Sequence, residues 1–170
     1  SSPAESISLD PQVLQSPRAK LRQVFLDVEI HDMARYMARE FLRRADSMRS
    51  NLVYETNEKL ASAKSADDID KLKRMRDKLQ DPNKGLLYAI NEFGIPAIQE
   101  QLKSDMKIES EEKPQQYQQK YIDAMQPDIF ELIFEYAIPF IEDESGIRIN
   151  MVQKTAQLQE TEAKQNDKAE

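Results

Sequence analysis

Residues 30–52 read IHDMARYMAREFLRRADSMRSNL. Ile30, Met33, Met37, Phe41, Ala45, Met48 and Leu52 recur at intervals of three and four, the apolar stripe of an amphipathic helix. No glycine or proline interrupts the chain between Pro17 and Pro82. Ser16-Pro17 is a good helix start: a serine can accept the first amide protons, and proline suits the first helical position. The spacing therefore predicts a helix from residue 17 to residue 62, with Asn51 to Thr56 as the place where it bends. Such a rod would run to about 65 Å, more than a domain of this size needs.

Outward from this stripe, the chain keeps the same character. Leu, Ala, Glu, Lys, Gln, Arg and Met dominate, all good helix formers, and there are only three glycines. An all-α fold follows: a bundle of about six helices with one long N-terminal helix. Ser65 with Asp68 resembles a capping box and starts a second helix, which Asp81-Pro82 ends. Asp81 then caps a third, with Pro82 as its first residue. Further helices are expected from Pro96 to Met106, Pro114 to Met125, Pro127 or Asp128 to Asp143, and over residues 147–160. Residues 107–113, KIESEEK, read as a solvated acidic connector. Residues 1–16 read as an extended arm, 17–160 as a single helical domain (17–81 and a proline-kinked region 82–160), and 161–170 as a polar tail.

One phrase occurs twice. Residues 86–100, LLYAINEFGIPAIQE, match residues 129–143, IFELIFEYAIPFIED, at a constant offset of 43. Identical pairs are Ile90/Ile133, Glu92/Glu135, Ile95/Ile138, Pro96/Pro139 and Ile98/Ile141. Helical-hairpin repeats have periods near 40 residues, and each unit buries its stripe against the next. Proline deprives the carbonyl four residues back of its helical partner, here Glu92 or Glu135. Gly94 in the first copy predicts a true break; Ala137 in the second predicts a kinked but continuous helix. Solvated glutamates and carboxylates paired across a pseudo-twofold axis are both open readings of Glu92 and Glu135.

Composition limits the chemistry. With no cysteine, disulfides and thiolate chemistry are absent. The single histidine, His31, leaves no His/Cys zinc site within one chain and no paired Glu-x-x-His motif. It reads as a buried or capping histidine. No phosphate-binding glycine loop or G-x-S-x-G elbow occurs. No catalytic residue, cofactor or metal ligand is assigned, although Asp128, Glu131 and Glu135 share a helical face on which a carboxylate-only ion site would stand. The longest apolar run, Ile129 to Ile141, holds Glu131 and Glu135 and is too short to span a bilayer. Ser1-Ser2-Pro3 opens a polar stretch rather than a secretory signal. The expectation is a soluble protein of the cytoplasm or of an organelle or virion interior, with the compartment itself unassigned.

The net charge of −7 is uneven: residues 1–84 carry 16 basic and 14 acidic side chains, residues 85–170 carry 8 and 17. Arg35, Arg39 and Arg43 fall on one helix face, and Lys71, Lys73, Arg74, Arg76 and Lys78 form a second basic group. Such faces can track nucleic-acid phosphates, pair with acids in the same chain, or meet the acidic half of a neighbour. The leading expectation is a non-enzymatic helical interaction protein: an assembly factor, adaptor or structural subunit of a larger complex, with a protein partner or a second copy of itself. Met33, Met37, Phe41 and Met48, with Phe134, Tyr136 and Phe140, are the candidate partner-binding residues, unless they fill the chain's own core. A nucleic-acid accessory protein and a carboxylate-only metal-binding bundle are the alternatives.

Overall fold

The computed structural model describes residues 16–149; the expected arm, tail and most of the last helix lie outside them. Seven α-helices and one 3₁₀ turn make up the described chain, with no strand among the described residues: α1 (Pro17–Val24), α2 (Asp27–Ser62), α3 (Ala66–Gln80), α4 (Gly85–Phe93), α5 (Ile95–Glu112), the 3₁₀ turn Pro114–Gln116, α6 (Gln119–Asp123) and α7 (Pro127–Ser145). The fold is an all-α helical bundle.

Local chemistry explains most boundaries. Ser16 Oγ accepts the Ala19 amide at 3.2 Å with Pro17 in the first turn, and Ser65 Oγ accepts the Asp68 amide at 3.1 Å. The Asp81 carboxylate takes the amides of Asn83 and Lys84 at 2.8 and 2.9 Å. These bonds lower its pKa, and they hold Pro82–Lys84 as a turn, so α4 starts at Gly85 rather than at the proline. Gly94, at φ 84°, ends α4 in a conformation that side chains resist, and α5 begins at once. Pro139 lies inside an uninterrupted α7. The first repeat copy is thus broken and the second continuous, as Gly94 and Ala137 dictate. In both copies the matched isoleucines Ile90/Ile133 and Ile98/Ile141 are buried, and Glu92 and Glu135 are exposed.

The long helix departs from expectation at one place. It is not interrupted at Asn51–Thr56: Thr56 is buried, returns its hydroxyl to the Leu52 carbonyl at 2.6 Å, and the helix runs through. The break falls instead at Phe25 and Leu26. Phe25 is extended (φ −118°, ψ 141°) and buried, and the Leu26 amide donates to Glu29 Oε1 at 2.9 Å. This is half of a capping box, a glutamate in the third helical position reaching back to the amide before the helix. α2 still runs for 36 residues. Residues 107–112, expected as a connector, complete α5, and Pro114–Asp123 forms a 3₁₀ turn and a short helix in place of one longer helix.

The described residues form two compact units, residues 16–39 with 103–144 and residues 40–102 with 145–149. In the first, Leu21, Phe25, Ile30, Met37, Phe130, Ile133, Phe134, Ile138 and Ile141 are buried; Phe130 and Phe134 stack at 6.4 Å. In the second, Phe41, Ala45, Leu79, Ile90, Ile98 and Leu102 are buried. There Arg49 on α2 ties down the end of α3, donating to the Leu79 carbonyl at 3.1 Å while paired with Asp46 at 2.5 Å. Gly85 packs against the same carbonyl, where a Cβ would stand 2.3 Å from the oxygen.

Gly85→Ala is therefore expected to cost about 1–3 kcal/mol, because backbone must move to admit the methyl. Gly146→Ala meets nothing within 4 Å and carries only the strain of φ 73°, about 1 kcal/mol. Urea unfolding of both variants checks the order.

Candidate functional site

In the first unit α2 and α5 present matching faces to one cavity of about 360 Å³. α2 contributes Glu29, Asp32, Met33, Tyr36 and Met37, and α5 contributes Met106, Glu109 and Ser110. Tyr117, Tyr121 and Met125 complete the wall. Four thioethers and three phenols give an apolar, polarisable lining, and three carboxylates stand among them. The volume is within the range of ligand-binding clefts. Methionine sulfur and its flexible stem adapt to several shapes, and tyrosine adds a rigid apolar face with a polar tip.

Two of the acids are held in place. Glu29 receives Lys120 Nζ at 2.6 Å, the Tyr121 hydroxyl at 2.9 Å and the Leu26 amide. The Lys120 bond, then those of Leu26 and Tyr121, lower its pKa to about 2. The Lys120 ammonium also lies 5.3 Å from the Phe25 ring and 5.4 Å from that of Tyr121, a cation over two π faces. Phe25 and Tyr121 meet at 5.4 Å. This node fastens α6 to the break before α2. Tyr117 donates to Glu109 at 3.1 Å, and burial, with that bond, raises the pKa of its hydroxyl. Ser110 is buried and gives its hydroxyl to the Lys107 carbonyl at 2.8 Å.

The candidates named from sequence scatter. Met33 and Met37 line this cavity. Tyr136 and Phe140 line another in the same unit, of about 380 Å³, with Arg22, Asp27, Ile30, His31 and Pro139. Phe41 and Phe134 are core residues with no exposed surface, and Met48 is half-buried in the second unit. His31 is neither buried nor a cap: it is exposed, with its ring edge-on to Phe140 at 4.8 Å. Each basic-face arginine has an intrachain partner: Arg35 lies over Phe140 at 5.6 Å, Arg39 is 3.7 Å from Glu144, and Arg43 is 2.8 Å from Glu40. In the second basic group, Arg74 pairs with Asp70 and Arg76 with Asp77. Glu135 accepts Arg18 at 2.6 Å. Among the described residues no group of three or more acids and histidines could hold a metal.

Sequence reading missed Glu29, Asp32, Tyr36, Met106, Glu109, Ser110, Tyr117, Tyr121 and Met125. Met106, Glu109 and Ser110 carried a helical signal at i, i+3 and i+4, hidden because the acidic run after residue 106 reads as a connector. An apolar edge at the helix break, Val24, Leu26 and Val28, is also exposed. No helix among the described residues is long and apolar enough to cross a membrane. No protein family matches the chain, and no curated protein or solved structure matches it significantly.

The lowered pKa of Glu29 makes stability pH-dependent. Its contribution is complete above the ordinary value of 4.5 and is lost as pH falls toward about 2. The melting temperature is expected to fall across that window, and by less in Glu29→Gln, when both proteins are melted at a series of pH values.

Proposed function

We propose that this chain is a non-enzymatic protein-interaction module, an assembly factor, adaptor or structural subunit, that binds its partner through the methionine- and tyrosine-lined cavity. One observation carries the reading: four methionines and three tyrosines from α2, α5 and the segment after it converge on a single cleft. Flexible thioethers beside rigid phenols suit a surface that accepts apolar side chains of another protein. Tyr36, which lines the cavity, is itself exposed and is part of the surface a partner would bury.

The pairing of Arg35, Arg39 and Arg43 within the chain weighs against the nucleic-acid alternative, since a phosphate would first have to displace Phe140, Glu144 or Glu40. The bond from Arg18 to Glu135 weighs similarly against an ion site on α7.

Met33→Lys, at a half-buried cavity position, puts a charge into the cleft without opening a core residue. Affinity capture from a native extract is expected to recover a partner with the wild-type chain and to lose it with this variant, provided the two melt alike. Recovery of the same proteins by both overturns the reading.

A further inference from the structure

We infer that the occupant of the methionine cavity is a basic amphipathic helix of another protein, its apolar side chains inserted between α2 and α5 and its lysines or arginines on the acidic rim. This rests on the interaction reading above and names the chemistry of the partner.

Charge complementarity selects the occupant. The lining holds Glu29, Asp32 and Glu109 and no basic side chain. Lys120 neutralises Glu29 from outside the lining, leaving Asp32 and Glu109 as the carboxylates that face an incoming cation. Glu111 and Glu112, exposed in the last turn of α5, with Glu109 outnumber the flanking Lys107 and Lys113, at the end where the helix carbonyls already present a partial negative charge. An apolar cleft between two helices with acids along its edge is the complement of a helix with an apolar face and basic flanks.

The chain's own outlying segments lack the basic face that these acids select. Residues 1–15 contain Glu5 and Asp10 and no lysine or arginine, and residues 150–170 contain three lysines against four acids. A second copy is disfavoured too, since each chain carries a net charge of −7. Its most basic helix, α1, already buries Leu21 and pairs Arg18 with Glu135.

The test uses three synthetic probes of about four helical turns. One is a leucine–lysine amphipathic helix with a single tryptophan, one replaces every lysine with glutamate, and one scrambles the first. Because the chain has no tryptophan, probe fluorescence reports binding alone. The lysine helix is expected to bind at least about tenfold tighter than either control, and to weaken as salt rises. Glu109→Lys should weaken it about tenfold or more, whereas Glu58→Lys, an exposed acid of the second unit, should change it less than about twofold. Asp32→Lys, at an exposed position, is the second variant if Glu109→Lys lowers the melting temperature. Equal weakening by Glu58→Lys would mean that the peptide reads only net charge, and the site assignment falls. Binding of the glutamate helix in preference overturns the charge class but leaves the interaction reading standing. If no probe binds, both fail. Concentration-dependent self-association in light scattering, abolished by Glu109→Lys, would make the occupant a second copy and overturn the inference.

Discussion

The first unit depends on the carboxylate of Glu29. It closes the break at Leu26 by taking that residue's amide, and it receives both the ammonium of Lys120 and the hydroxyl of Tyr121. A helix start needs an acceptor for its leading amides, and a partly buried cation needs a counter-charge. One side chain meets both needs. With Glu29 in place, Phe25 turns inward against Tyr121, α6 is fixed against the start of α2, and one wall of the methionine cavity is set. The break in the long helix and the cavity beneath it are consequences of the same contact.

This explains how far the sequence was legible. The stripe from Ile30 to Leu52 and the serine caps at residues 16 and 65 are local signals, and each marks a helix, although the one that starts after Ser16 is the short α1 and not the long helix expected there. The contrast between Gly94 and Ala137 was legible for the same reason: a positive φ favours glycine, while alanine lets the helix continue past Pro139. The break at Phe25–Leu26 was not legible, because no breaker residue marks it; the acceptor that permits it lies within α2, and what draws Phe25 inward is Tyr121, far along the chain. The extension of α5 through Glu112 was missed for a related reason. Its acids oppose the helix dipole and favour a loop locally, but Met106, Glu109 and Ser110 all face the cavity, and tertiary placement outweighs a few tenths of a kcal/mol per residue.

The candidate site was half legible. Met33 and Met37 were found because methionine on a helix stripe is conspicuous. Phe41, one turn further on, obeys the same periodicity and is sealed in the core, so periodicity identifies the inward face without separating cavity wall from solid packing. That separation depends on what the opposite helix supplies. α5 faces α2 with Met106, Glu109 and Ser110, too little bulk to fill the space, and the tyrosines at 117 and 121 tie their hydroxyls to Glu109 and Glu29. A pattern of charges on a helix was equally ambiguous: the arginines at 35, 39 and 43 look like a stripe from sequence, yet each has its own intrachain partner, on α7 for the first two and on α2 for the third.

The sulfur atoms in this wall also make it a chemical record of its surroundings. Met33 and Met106 are half-exposed, whereas Met37 and Met125 are buried. Peroxide reaching the outer pair converts a thioether into a sulfoxide, a polar, stereogenic group that no longer suits an apolar partner, and enzymatic reduction reverses the change. The recognition proposed for this cleft would therefore fade under oxidative stress and return with repair, in a chain that has no cysteine to sense the change.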